Sequence, residues 1–445
     1  MLGMMRRDYR GIVPALPAAT RPEHRPAAPP RSVAVVGAGL AGLRTAAELR
    51  AQGFDGDVTV VGEEALEPYD RPPLSKELFT RTEPVWLAAE GYGELGSLAD
   101  RVVLGRAGVH LDADDHGATL TLAPAAPGDA PEVVRVGAVV LATGAHAAVP
   151  TLWSGANVLR GAGDAADLRA RLVPGARLVV VGAGWIGAEV AGLAAARGCT
   201  VTVVEALPTP LFRQVGPEVG ERTVPWYAEA GVDLRCGATV TAVRDGLVVL
   251  AAAGGGTEEL RADVVLAAVG VRPATGWLRG SLPLTPRGAL RVDPGGRVLG
   301  GPASVRAVGD CADMEVPGLG LVPGGHWDAA LSHPTALVAG LLGHEVPAPA
   351  APYVFSTQFG RELMFVGLPT AAARLVDRGD VGAPWTALFV EPADDGGQGR
   401  LTAGFTVDRP RDVGPLRRLL AAGARPVLDV GRATDPGVPL RRAVV

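Results

Sequence analysis

Two stretches of the chain carry the same sequence of apolar, small and acidic positions. Val33-Ala34-Val35-Val36 runs straight into Gly37-Ala38-Gly39-Leu40-Ala41-Gly42, and Val58-Thr59-Val60-Val61-Gly62 follows and ends at Glu63. Leu178-Val179-Val180-Val181 runs into Gly182-Ala183-Gly184-Trp185-Ile186-Gly187. A small-residue segment, Ala188 to Arg197, is then stopped by Gly198, and Val201 to Val204 ends at Glu205. Short uninterrupted apolar blocks predict strands buried on both faces, and the segments after the glycines predict helices. The glycines serve a tight turn, close backbone approach to a pyrophosphate, and close helix–strand contact. The helix N-terminus offers unpaired N–H groups to the phosphates. An acid about 20 residues further on takes a ribose 2′-hydroxyl. Glu205 would repel a 2′-phosphate, so the second unit favours NAD over NADP. A single GxGxxG also fits an ordinary packing turn that binds nothing. Two complete units with their acids predict two dinucleotide sites.

The pattern continues between and after these units. Val102 to Leu104 and Gly108 to Leu111 predict short strands. Val139-Val140-Leu141-Ala142 is a buried strand ending in Thr143-Gly144, and Val264 to Pro273 is another with a Gly270 exit. Val305 to Val308 leads to Gly309-Asp310, where Asp310 is placed to N-cap the next helix. Gly325-His326-Trp327 opens a helix running to Leu342. Alternation over 353–359, 362–367 and 386–390 predicts a small C-terminal sheet. Pro68-Tyr69-Asp70-Arg71-Pro72-Pro73-Leu74-Ser75-Lys76 is a loop stiffened by proline, with Ser75 placed to cap a helix over Lys76 to Phe79.

Composition narrows the class. A chain of 445 residues implies two to three domains. Apolar content of 48% with only 4% aromatic residues means cores of Val, Leu and Ala, as parallel sheets under small-residue helices require. A net charge of −5 argues against nucleic-acid binding. Cys199, Cys236 and Cys311 are too few and too scattered for a disulfide framework, without any CxxC, so the compartment reads as reducing and cytosolic. Residues 1–30 are rich in Pro, Ala and Arg and lack the apolar core of a signal peptide; they read as a disordered arm or an upstream start. Leu178 to Ala196 is apolar enough to raise a membrane reading, which Glu189 and the internal glycines oppose. The seven histidines lack metal spacing and read mostly as surface or loop residues, and no GxSxG supports a hydrolase.

Lys76 is the only lysine in a chain whose other basic residues are Arg. A compact ammonium does what a planar guanidinium cannot, although chance retention at the surface is the alternative.

The PYDRPPLSK run resembles the signature of the FAD-dependent NAD(P)H ferredoxin reductases, the putidaredoxin-reductase and aromatic-ring-dioxygenase reductase type. The resemblance covers roughly residues 31 to 410. It implies an α/β architecture like that of glutathione reductase: two Rossmann-like dinucleotide domains, for FAD and NAD, and a C-terminal α+β interface domain. The implied divisions are 31–150 with 286–349 for FAD, 151–285 for NAD, and 350–445 for the interface domain. For FAD it implies Gly37, Gly39, Leu40, Ala41, Gly42, Glu63, Arg71, Lys76, Val109, Thr143, Gly144, Arg160, Asp310 and Trp327. For NAD it implies Gly182, Gly184, Trp185, Ile186, Gly187, Glu189, Glu205, Arg213 and Gly270. Lys76 would sit near flavin N5 and Glu189 near the nicotinamide; the alternative for Glu189 is a helix-surface carboxylate. No metal ligand is implied. The chain departs from the family at Gly325, where Glu is usual, and in Tyr353 to Gln358, which resembles FWSDQ without its Trp and Asp.

The resemblance implies hydride transfer from NADH to FAD and single-electron delivery to an iron–sulfur ferredoxin serving a monooxygenase or dioxygenase. NADH oxidase or monodehydroascorbate reductase activity shares the scaffold, and an apoptosis-inducing-factor-like interaction protein carries a similar loop. A disulfide reductase would need cysteine soon after the first unit, and the chain has none before Cys199. The C-terminal arginines, Arg409, Arg411, Arg417, Arg418, Arg425, Arg432, Arg441 and Arg442, form either a solvated helix face or a docking patch for an acidic ferredoxin. The expected protein is cytoplasmic, a monomer or weak dimer, and binds neither membrane nor nucleic acid.

Overall fold

A computed structural model describes residues 29–244, 246–251, 256–382, 384–393 and 397–445. The expected N-terminal arm therefore lies almost wholly outside the described residues. The first apolar block forms strand Ser32–Val36 at the centre of a five-stranded parallel sheet. Its neighbours are Asp57–Val61 and Ala138–Leu141, with Arg101–Val103 and Val305–Ala307 at the two edges. Alternate residues of the central strand serve opposite cores, as the pleat dictates. Val33 and Val35 meet Leu43, Ala46 and Leu49 of helix Leu40–Ala51, whereas Ala34 and Val36 meet Leu111, Leu120 and Leu122.

The second apolar block repeats the construction. Strands Asp233–Cys236, Thr200–Glu205, Arg177–Val181 and Val264–Ala267 lie side by side in that order, all parallel. Helix Trp185–Ala196 covers them. The apolar run from Leu178 is thus a strand, a turn and a helix, and no described helix is long and apolar enough to cross a membrane. An antiparallel ribbon of Ala145–Ala147 and Val271–Pro273 joins the two parallel units.

The third sheet is antiparallel, in the order Tyr353–Gln358, Arg361–Gly367, Gln398–Val407, Trp385–Pro392 and Arg374–Arg378. It is larger than the alternation suggests, because 374–378 and 398–407 carry no clear signal of their own. Gly399 and Gly404 break the alternation of the second of these, and each makes room for a neighbour. A Cβ on Gly404 would lie 2.7 Å from Leu416, and one on Gly399 would overlap Val390. One face of this sheet packs under helix Pro410–Leu419 through Leu416, Leu388 and Leu401. The other presents Phe365, Trp385, Phe389 and Phe405 to Val215, Val219 and Trp226 of helix Phe212–Glu229. This aromatic seam fixes the third sheet against the second nucleotide unit and brings its first strand beside helix Trp185–Ala196.

Candidate functional site

A cavity of about 880 Å³ runs from the first glycine loop to the start of the second glycine-loop helix. At one end, Gly37 adopts φ +116°, and a Cβ there would overlap the Ala142 carbonyl oxygen. Gly42 lies behind the loop, off the cavity wall, where a Cβ would overlap the Gly37 carbonyl oxygen. Gly39 has open space where its Cβ would be, and it lines the cavity beside Leu40 and Ala41. The three glycines therefore meet three different demands: a turn, an open approach, and a helix packed hard on the loop. The second unit repeats them. Gly182 has φ +105° with the Ala268 carbonyl 2.6 Å from a notional Cβ, Gly187 abuts Gly182, and Gly184 faces open space but for Gln214 at 3.9 Å.

Glu63 lines the cavity and is exposed. Arg71 donates to the backbone carbonyl of Arg160, to the Tyr69 hydroxyl at 3.2 Å, and to Glu64. Glu64, which sequence reasoning passed over, also accepts from the Tyr69 hydroxyl at 2.6 Å. Burial acts to raise the Glu64 carboxyl, but Arg71 and Tyr69 outweigh it and hold the group below the usual range. Burial, with help from Glu64, pushes the Tyr69 phenol up to about 12. Arg160 donates to Asp310 at 2.8 Å, so these two expected residues meet across 150 positions. Thr143 and Gly144 lie on the same wall.

Trp327 is held by its indole N–H, which donates to Asp70 at 2.7 Å. Burial raises the Asp70 carboxyl even though this bond opposes the shift. The Trp327 ring meets Phe355 edge to face at 5.9 Å, and Lys76 Nζ lies 5.1 Å from the Phe355 centroid.

Lys76 and Glu189 form an ion pair across 113 positions. Glu189 is not on a helix surface: its side chain is only 2% exposed, against 19% for Lys76. Its carboxylate also accepts from the Ser75 and Ser356 hydroxyls. The expected Ser75 cap is therefore corrected. Pro73 starts the short helix Pro73–Lys76, Ser75 falls inside it, and its hydroxyl serves Glu189 instead.

Trp185, Ile186 and Arg213 also line the cavity. Glu205 lies outside it, where its carboxylate accepts from the backbone N–H groups of Ala183 and Leu207 at 2.8 and 2.9 Å. It braces the second glycine loop and keeps acceptor capacity to spare. Gly270 is exposed, at the entrance to the linking ribbon. Val109 does not reach the cavity. It lies on strand Gly108–Ala113, 45% exposed, where the pairing with the next strand is irregular.

Two details go beyond the expectation. His326, in the loop before helix Trp327–Leu342, and His333, within that helix, are half-buried, and burial lowers both imidazoles, His333 to about 4. Arg409 is buried against Asp412 at 3.1 Å, and Arg417 pairs with Asp328 at 2.8 Å. Neither belongs to a freely solvated basic face, whereas Arg411, Arg418, Arg432, Arg441 and Arg442 are exposed.

The residues fit a flavin dinucleotide. The cavity is of cofactor size, Gly39 leaves a cradle that a methyl would fill, and Arg160 Nε is buried without a partner among the described residues.

Comparison with known proteins agrees. Residues 31–330 match the pyridine nucleotide-disulphide oxidoreductase family, and residues 353–444 match the reductase C-terminal family. The chain is 33% identical over 429 residues to the ferredoxin–NAD(+) reductase component of the anthranilate 1,2-dioxygenase system of Burkholderia cepacia, covering 92% of this chain and 98% of that one. Among solved structures it resembles Fdr9, with 36% identity, TM-score 0.80 and coverage of 92% and 99%. It also resembles the covalent putidaredoxin reductase–putidaredoxin complex, with 26% identity, TM-score 0.81 and coverage of 93% and 98%. The chain belongs to the pyridine nucleotide-disulphide oxidoreductases and, within them, to the FAD-dependent ferredoxin reductases.

Proposed function

We propose that this oxidoreductase takes hydride from NADH onto FAD and passes electrons singly to an iron–sulfur ferredoxin feeding a monooxygenase or dioxygenase. The observation that carries the reading is the Lys76–Glu189 pair. It ties the loop of the first nucleotide unit to the glycine helix of the second, on the wall of one shared cavity. We assign 31–150 with 286–349 to the flavin, 151–285 to the nicotinamide dinucleotide, and 350–445 to the interface domain.

When bound, FAD supplies the hydride acceptor and the means to release electrons one at a time. The chain supplies position and electrostatics. Gly37, Gly39 and Gly42 shape the approach to the flavin pyrophosphate, with Glu63 for the adenosine ribose. Arg71 and Arg160, braced by Glu64 and Asp310, border its middle. Gly182, Gly184 and Gly187 do the same for NADH, with Glu205 for its ribose and Arg213 beside its adenosine half. Lys76 holds a fixed positive charge against Glu189 and over the Phe355 face, where charge on a reduced ring would be felt. The helix beginning at Trp327 has no side-chain cap, and its first turn lies on the wall of the same cavity, where its dipole would favour negative charge.

The exposed arginines of the C-terminal part support an acidic ferredoxin as partner. The few scattered, unpaired cysteines support a cytoplasmic setting. We place the protein there as a monomer or weak dimer. The test is reconstitution: FAD-loaded protein, NADH and each ferredoxin encoded in the same genome. Reduction of at least one ferredoxin, faster than oxygen consumption, is expected. Oxygen consumption with no ferredoxin reduced would favour the NADH oxidase reading.

A further inference from the structure

We propose that Ser356 and Gln358 are positioning residues for hydride transfer, acting from the third sheet through Glu189. This rests on the reading of Glu189 as a nicotinamide-side group. Ser356 and Gln358 are two apart on strand Tyr353–Gln358 and both turn inward, whereas Thr357 between them is exposed. The Gln358 amide donates to Ser356 Oγ at 3.0 Å, and the Ser356 hydroxyl donates to Glu189 Oε1 at 2.6 Å. The incoming amide leaves the serine proton aimed at the carboxylate, so the two bonds form a directed relay. Gly192, one turn below Glu189, lets the strand come this close: a Cβ there would sit 3.1 Å from the Phe359 ring. Glu189 is thus gripped from two other parts of the chain, by Ser75 and Lys76 on one side and by Ser356 on the other.

A buried carboxylate needs its donors to stay charged and in place. Lys76 and Ser75 both come from the flavin-side loop, so without Ser356 the carboxylate would be drawn toward that side alone. The third sheet sets where it stands between the two nucleotide units. In this segment, where Phe355 and Thr357 replace the usual Trp and Asp, the buried serine and glutamine do the gripping and Phe355 receives the lysine.

The experiment is anaerobic stopped-flow reduction of FAD-loaded full-length protein by NADH, with dithionite as an independent reductant. Ser356→Ala is expected to lower the limiting rate of reduction by NADH about ten- to a hundredfold, the range a displacement near 1 Å produces. FAD retention, melting temperature, NADH affinity and reduction by dithionite should stay at the parent's values. Ser356→Thr, which keeps the hydroxyl, should restore the rate. Gln358→Met should give a smaller loss, and the double variant should match Ser356→Ala alone, because the two groups act in series. A parent rate in Ser356→Ala overturns the proposal, as does a slow rate accompanied by FAD loss or slow dithionite reduction. If Ser356→Ala does not fold, Gln358→Met decides: a slowed NADH step with normal dithionite reduction supports the relay, and a parent rate overturns it. A parent protein that NADH cannot reduce would instead remove the proposed function, and this inference with it.

Discussion

The two glycine loops allow a set of substitutions whose outcomes separate cofactor contact from packing. Gly39 has nothing within 4 Å of a notional Cβ, and its φ of −79° suits alanine without strain. Gly39→Ala should therefore leave the fold intact and obstruct only what enters the cradle. Intrusion of one methyl into a close contact costs about 1–3 kcal/mol, so FAD affinity should fall about ten- to a hundredfold. Gly184, at φ −81°, is similarly open, with only Gln214 at 3.9 Å, and Gly184→Ala should weaken NADH by a similar factor while FAD stays bound. Gly42 is different. Its Cβ would lie 2.9 Å from the Gly37 carbonyl carbon and overlap the oxygen. Helix Leu40–Ala51 would have to lift off the loop, against Val33 and Val35 of the central strand. Gly42→Ala should thus cost about 3 kcal/mol or more in stability and lower the melting temperature of the apoprotein. The assay is equilibrium FAD binding to apoprotein, NADH titration of the FAD-loaded form, and thermal melting of each variant. If Gly39→Ala bound FAD as the parent does while Gly184→Ala lost it, the two loops would have their cofactors exchanged. If Gly42→Ala melted like the parent, the packing argument would fail.

Lys76→Met strands Glu189 with two hydroxyl donors and no counter-charge; a loss of about 3–5 kcal/mol in stability is expected, along with slower flavin reduction at full FAD occupancy. Glu189→Gln in the same chain should recover stability, and a normal reduction rate in Lys76→Met would make the lysine a bystander. Glu205→Ala should weaken NADH about ten- to a hundredfold and relax discrimination against NADPH; an unchanged ratio of the two affinities would remove Glu205 from the ribose. Burial lowers His333 to about 4 from an ordinary 6.5, so the folded state binds its proton less readily than the unfolded chain. The stability this residue contributes is whole above pH 6.5 and is lost as pH falls toward 4. His333→Gln should flatten that acid limb of the melting temperature, and an unaltered limb would mean that His333 is solvated.

What could be read from the chain was mostly local. Each glycine loop with its flanking apolar blocks lies within one short stretch, and the proline-stiffened loop holding Lys76 is contiguous. The helix from Trp327 to Leu342 begins and ends where its pattern does. What escaped depends on residues far apart in sequence. Nothing near Ser356 announces that its hydroxyl meets a carboxylate 167 positions away. Arg409 looks like any surface arginine until the strand carrying Arg378 closes over Asp412. His326 and His333 carry no local mark of burial. The strand 398–407 was hidden because its glycines serve a neighbouring helix and strand, breaking the alternation that identifies strands.

One chain, on this reading, brings NADH and a bound flavin together and hands the electrons on to an iron–sulfur protein. The most direct measurement mixes FAD-loaded protein anaerobically with one equivalent of NADH and then with an oxidised ferredoxin from the same genome, following the visible absorbance of both. The flavin colour should bleach with NADH and return as the ferredoxin becomes reduced. A flavin that stays oxidised in the presence of NADH, or that bleaches but never yields its electrons to any ferredoxin, would contradict the assignment.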